Sequence, residues 1–344
     1  MLLDISFCTF RDLGLPYVDF ANATSRITHV SSDSVAIIAA STTSPQELAL
    51  VSIESHKANA IILTSTASFK LPAEYVSSAT HLTAPQKYSP VRNGNVHFFY
   101  FPPQNPEYTP DRDSLPPLLV YIHGGPNGVA TPALNLEIQF YTTRGFTVCA
   151  VNYTGSVGYG REYRERLSGH WGLADTGDTV SAVEFLVQRR IVDKSRIGIY
   201  RSSAGGYLTL QALHMYPDVW SAGISSYGIS DVRALQADSY KFESQDVDRL
   251  LLSKTAPEDR ELELTRWSPC NYAGKMKAPL LLLQGTVDMV VPVAQARIMA
   301  DAMRAQGRVA EVVEFKGEGH GWVGQTAIYE SLGQKEQWWT RHLT

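Results

Sequence analysis

The stretch Ile197-Gly-Ile-Tyr-Arg-Ser-Ser-Ala-Gly-Gly-Tyr207 governs the reading of the whole chain. An apolar, β-prone run leads to Ser202 and Ser203, and Ala204 to Met215 continues with a helical pattern. Strand, sharp turn with a serine at its apex, and helix make a nucleophile elbow, written G-x-S-x-G because strand and helix crowd each other at the turn. Ser203 stands at the centre with Gly205 two residues on, but the position two residues before is Arg201 rather than glycine. Alone, the run also reads as a helix N-cap made of small residues. Partners elsewhere in the chain have to settle the matter.

Two later stretches supply them. Gln284-Gly-Thr-Val-Asp-Met-Val-Val-Pro292 puts Asp288 just past an apolar strand, and Phe315-Lys-Gly-Glu-Gly-His-Gly-Trp322 puts His320 in a glycine-flanked loop after another. Open α/β sheets gather functional residues beyond the carboxyl ends of their strands. The order serine, aspartate, histidine is that of the α/β-hydrolase fold. In that arrangement His320 takes the Ser203 proton and later hands it to the leaving group, while Asp288 holds the imidazole tautomer. The tetrahedral oxyanion needs backbone donors. One is expected from Ala204, directly after the nucleophile. The other is expected from Gly125 in His123-Gly-Gly-Pro-Asn-Gly128, which follows the apolar run Leu118-Leu-Val-Tyr-Ile122.

The pattern along the chain divides near residue 90. Within 1–90, short β-prone runs at 26–30, 34–40, 47–53 and 60–64 are separated by turns such as Thr42-Thr-Ser-Pro45. Short strands at such spacing predict an antiparallel sheet, resembling the end of a β-propeller. The stretch 78–95 has weak periodicity and reads as a linker. From 91 to 344 strands alternate with helices: strands at 96–101, 118–122, 146–151, 196–200, 220–226, 279–284 and 310–315, helices at 179–188, 204–215, 293–305 and 328–342. That alternation predicts a mostly parallel sheet with helices on both faces.

Composition narrows the function. A net charge of −4 gives no footprint for nucleic acid. Cys8, Cys149 and Cys270 are too few and too far apart for a disulfide framework or a zinc site, so a reducing compartment is expected. The start, with Asp4, Arg11 and Asp12 around a short apolar stretch, lacks the form of a secretory signal, and no run reaches the ~18 apolar residues of a membrane span. A soluble, cytoplasmic protein without metal or cofactor is expected. Asp175 and Asp178 do not form a recognised ligand set and are read as capping a helix that starts near Thr179.

Together these stretches resemble the prolyl oligopeptidase family of serine peptidases, nearest its acylaminoacyl-peptidase-like and dipeptidyl-peptidase-like branches. The resemblance is carried by His123-Gly-Gly-Pro126, Asn152-Tyr-Thr-Gly-Ser-Val-Gly-Tyr-Gly160, Gly169-His-Trp-Gly172 with Asp175 and Asp178, Ser203-Ala-Gly-Gly-Tyr207, Gly285-Thr-Val-Asp288 and Gly317-Glu-Gly-His-Gly321. It implies a peptidase acting on short peptides, with Tyr227, Ile229 and Val232 walling the substrate pocket; Tyr153, Tyr207 and Trp322, beside the motifs, are read either as further wall or as core. Family members carry a whole propeller over the site, and only its last part is expected here, leaving sheet edges suited to pairing with a second copy. Glu47, Glu54 and Glu74 are scattered and form no acidic pair of the dipeptidyl type. An esterase, a small-molecule hydrolase or acyltransferase, and an inactive binding protein are the other readings; Arg201 is expected either to pair beneath the elbow or to favour acidic substrates.

Overall fold

The computed structural model describes residues 2–4, 9–19, 27–53, 59–67, 69–91, 94–108, 114–237, 246–253 and 255–344. They form two compact units: the first comprises 1–80, 101–109 and 131–145, the second 81–100, 110–130 and 146–344. The units therefore do not follow a single cut at residue 90, because residues 81–100 belong with the later chain. Cys8 lies outside the described residues.

The second unit is built on an eight-stranded sheet. Its strands are β1 (Thr80–Pro85), β2 (Asn95–Phe101), β3 (Leu118–Ile122), β4 (Thr147–Asn152), β5 (Ile197–Ser202), β6 (Ala222–Ser226), β7 (Leu280–Gly285) and β8 (Ala310–Phe315). Their order is β8-β7-β6-β5-β3-β4-β2-β1, and the pairs from β4 through β3 and β5 to β8 are parallel. This is the α/β-hydrolase arrangement. Every side chain of β3, β4 and β7 is buried, as a parallel strand covered on both faces requires. Pairing shows that both faces are covered. Gly198 of β5 packs on Trp339 and Leu343, whereas Gly223 of β6 packs on Leu213. Gly198 is paired with Ala222, so Gly223, one residue on, points to the opposite face. The helix Gln325–Leu343 and the helix Ala204–Met215 therefore flank the sheet from opposite sides. The stretch read as a linker contributes β1, an edge strand with a single buried side chain, too little burial for a clear period.

The first unit holds a five-stranded antiparallel sheet of Tyr17–Asp19, Ile27–Ser31, Ser34–Ser41, Glu47–Ser52 and Ala60–Ser65. Glu47, Ala49 and Val51 alternate inward and meet Tyr17, Ile37 and Ala39 in a small core. The Thr42–Pro45 turn is organised by Ser41, whose hydroxyl accepts from the N–H groups of Thr43 (3.1 Å) and Ser44 (2.8 Å). Among the described residues no helix is long and apolar enough to cross a membrane.

Two aspartates correct the sequence reading. The helix expected from Thr179 begins at Ala174, so Asp175 and Asp178 lie inside it, fully buried, and do not cap it. Asp178 accepts from Thr154 N–H (2.7 Å) and Gln86 Nε2 (3.0 Å), tying the segments after β1 and β4 to this helix. Burial pushes Asp178 up to about 6 and Asp175 up to about 8, the latter against the pull of backbone N–H groups at the helix start. Both folded-state values exceed the unfolded one, so the stabilisation is present at low pH and is lost as pH rises through 6 and then 8. Urea unfolding should thus show a fall in stability that begins at about pH 4 and is complete by about pH 8, smaller in Asp175→Asn than in the native chain. An identical fall in both would refute the assignment.

Candidate active site

Five parallel strands end side by side, and each feeds one part of the site. Ser203 follows β5, Tyr227 follows β6, Asp288 follows β7, His320 follows β8, and the His123–Gly128 loop follows β3. The connection from β4 passes over β3 to reach β5, so the loops after β3 and β5 leave the sheet at a topological switch point, where α/β proteins open a crevice.

Ser203 adopts φ 57°, ψ −129°, a conformation that L-residues disfavour. Neighbouring strands hold it there. Its N–H donates to Ser226 O (3.0 Å), and Tyr227, itself at φ 39°, donates to Leu283 O (2.7 Å). Small residues let the helix start so close. A Cβ on Gly206 would lie 2.7 Å from Gly228 Cα, and one on Gly205 would lie 2.8 Å from Arg201 Cβ and 3.0 Å from His123 O. Gly205 thus makes the room that Arg201 occupies. Arg201 lays its guanidinium over the Tyr121 ring, 4.2 Å from the centroid.

His320 joins the two other groups. Its Nε2 is 2.9 Å from Ser203 Oγ and its Nδ1 is 2.9 Å from Asp288 Oδ2. A carboxylate only accepts, so Nδ1 carries the proton and Nε2 is free to accept from the serine hydroxyl. The Asp288 side chain is fully buried, and its other oxygen accepts from Val290 N–H and Val291 N–H, both at 2.9 Å. Gln284 Nε2 adds a contact to Oδ2 at 3.3 Å. The His320 ring meets Tyr227 edge-on, centroids 4.7 Å apart, and Tyr227 in turn meets Trp322 at 5.2 Å.

The loop after β3 is braced from within. Tyr153 is 1% exposed, its ring stacks on His123 at 4.2 Å, and its hydroxyl reaches Pro126 O (2.9 Å) and His123 O (3.2 Å). His123 Nε2 meets Ser156 Oγ at 2.6 Å and Nδ1 meets Gly124 O at 2.9 Å. Burial holds the His123 imidazole down at about 4, so it is neutral near pH 7. A neutral ring suits both contacts when Nδ1–H donates and Nε2 accepts. Asn127 Nδ2 donates to Gly155 O (2.7 Å). Gly125 sits within this braced loop at φ 125°. Ala204 opens the elbow helix, where a backbone N–H has no intrahelical acceptor.

Of the residues expected beside a pocket, Ile229 and Val232 as wall and Tyr153 and Tyr207 as wall or core, all four are buried. Tyr153 is a prop beneath the loop. Tyr207 is buried and its hydroxyl donates to Trp267 O (3.1 Å). Ile229 and Val232 face inward, because Ser230 N–H and Asp231 N–H donate to Gln295 Oε1 at 2.8 and 2.7 Å and turn that segment to the core. Tyr227 and Trp322 remain, partly exposed, beside His320. Among the described residues no group of three or more potential ligands is placed to hold a metal.

The family model described as the prolyl oligopeptidase family matches residues 132–344. The chain belongs to the prolyl oligopeptidase family. Within it, the chain is 29% identical over 211 residues to dipeptidyl aminopeptidase BIII of Pseudoxanthomonas mexicana, covering 61% of this chain and 31% of that protein. It is 24% identical over 238 residues to acylamino-acid-releasing enzyme 1 of rice, Oryza sativa subsp. japonica, covering 66% of this chain and 30% of that one. A puromycin-hydrolyzing peptidase of Mycobacterium tuberculosis superposes with a TM-score of 0.92 at 31% identity, covering 99% of this chain and 50% of the other. The chain thus spans about half of that structure's length.

Sequence reasoning had no assignment for Gln284, Ser156 or Glu318. Each is a polar residue inside or beside a quoted motif whose partner is visible only in three dimensions. The close approach of the elbow helix to residue 228 gives a direct test. Gly206→Ala should cost about 1–3 kcal/mol, measured by denaturant unfolding, and should slow labelling of Ser203 by a fluorophosphonate. Unchanged stability and labelling would contradict the packing described.

Proposed function

We propose that this protein is a serine peptidase that cleaves short peptides through an acyl-enzyme, with Ser203 as nucleophile, His320 as general base and acid, and Asp288 as the group that orients the imidazole. The single observation that carries the reading is the unbroken row Ser203 Oγ–His320–Asp288, with both links at 2.9 Å. A serine hydroxyl is a poor nucleophile until a positioned base takes its proton. His320 stands where that transfer is direct, and the saturated Asp288 carboxylate fixes the ring and stabilises the imidazolium.

The oxyanion of the tetrahedral intermediate is assigned to the backbone N–H groups of Gly125 and Ala204. The first lies in a loop braced by Tyr153, the second at the start of a twelve-residue helix. Fixed donors of this kind need no reorganisation as charge develops. Tyr227 and Trp322 supply an apolar flank for the substrate beside His320. The names of the relatives, which are peptidases or release acylamino acids, support amide substrates. Cys149 and Cys270, free thiols in the fold, suit a reducing cytoplasmic setting.

A panel of peptidyl p-nitroanilides and p-nitrophenyl esters tests the reading on this chain. Anilide turnover is expected, abolished in Ser203→Ala and lowered on the order of 10⁴-fold in Asp288→Asn. Ester turnover with every anilide inert would replace the peptidase reading by an esterase. Full activity in Ser203→Ala would end both.

A further inference from the structure

We propose that Glu318 is a positioning residue for His320, its carboxylate closing the loop that carries the imidazole. The inference rests on the role given to His320 above. The loop between β8 and the helix Gln325–Leu343 contains Gly317, Gly319, Gly321 and Gly324. Gly317 and Gly321 sit at φ 79° and 124°. A glycine-rich backbone has more freedom to lose than any other, yet His320 must reach two partners at once.

The entering side of the loop is stitched to the Asp288 segment. Gly317 N–H donates to Thr286 Oγ1 (2.9 Å), Val287 N–H donates to Glu318 O (3.1 Å), and Gly285 has no side chain to hold residues 318 and 319 away. The leaving side is held by the Glu318 side chain. Its Oε2 accepts from Val323 N–H (2.7 Å) and its Oε1 from Gly324 N–H (3.0 Å). The carboxylate thus spans from two residues before the histidine to three and four residues after it. Gly324 is the N-cap of the closing helix, and a negative group is favoured at such an end. The clamp therefore joins the histidine loop to two rigid bodies, the β7 segment and the final helix.

The clamp restrains His320 without touching substrate, so its loss should act on turnover rather than on binding. In the full chain, Glu318→Ala is expected to lower kcat about 10- to 100-fold with KM changed less than about threefold, and to slow fluorophosphonate labelling of Ser203 by a similar factor. Glu318→Gln, which keeps an acceptor of the same length and one of the two bonds, should restore most of both rates. Gly324→Ala sets a Cβ against Glu318 Oε1, so it should push the carboxylate off its donors and give a loss of the same kind. If Glu318→Ala does not fold, the Gly324 variant decides. Unchanged kcat in Glu318→Ala or in the Gly324 variant, a loss carried by KM, or Glu318→Gln as impaired as Glu318→Ala would each overturn the proposal. Ser203→Ala separates the two readings: if it is inactive while Glu318→Ala is normal, only the clamp fails, and if it is active the triad itself fails.

Discussion

A serine held at φ 57° at the mouth of a parallel sheet is the constraint on which the rest of the structure depends. That conformation costs on the order of 1–3 kcal/mol and persists only where the surroundings over-determine it. Here the determination comes from three directions. The neighbouring strand accepts the Ser203 N–H through Ser226 O, the elbow helix abuts Gly228, and the β3 loop presses on Gly205 through His123 O. The hydroxyl is thereby aimed before any substrate arrives. The core of β3, β4 and β7, buried along its whole length, supplies the rigidity that such aiming needs.

The same logic extends to the groups around the serine. Asp288 is fixed by two backbone donors and Gln284, and His320 is fixed by Asp288 and by its loop. Tyr153 and His123 stiffen the loop after β3 from below. Ser203, Asp288 and His320 stand just past strand ends, and each loop is tied to a strand end or a helix start by further hydrogen bonds. The departure from the elbow motif at residue 201 is accommodated rather than compensated elsewhere: Gly205 yields space, and Tyr121 offers its face to the guanidinium.

The parts of this picture legible in the sequence are those with local signatures. Strand, serine and glycines in one run mark the elbow, and the expected strands agree with β3 to β8 to within two residues because most hold a central apolar run and their ends carry glycine or polar residues. The row of Ser203, His320 and Asp288 was readable because its order and its flanking glycines are both specific. Other features carry no such signature. Tyr153 reads as wall or as core and Ile229 and Val232 as wall, because composition is the same whether such a residue lines a pocket or props it from behind. The helix begins at Ala174, ahead of the expected Thr179, because acidic residues such as Asp175 and Asp178 before an apolar run have the composition of a cap. Edge strand β1 left no period because only one of its side chains is buried. Glu318 was in plain sight within Gly317-Glu-Gly-His-Gly321, but a clamp across a loop has no spacing rule.

The strand Ala60–Ser65 has a consequence of another kind. Ile61, Ile62 and Leu63 are each more than half exposed, the segment contains no charge and no proline, and it ends the strand order of its sheet among the described residues. Natural sheets guard such borders with lysine, proline or bulges, and here the guard is a shift of register at Leu63, where Thr64 pairs with Leu48 and Ile62 with Ala49. A lysine placed at Ile62 would add charge, the other natural guard, to the same border and should lower any pairing of that strand with a second copy.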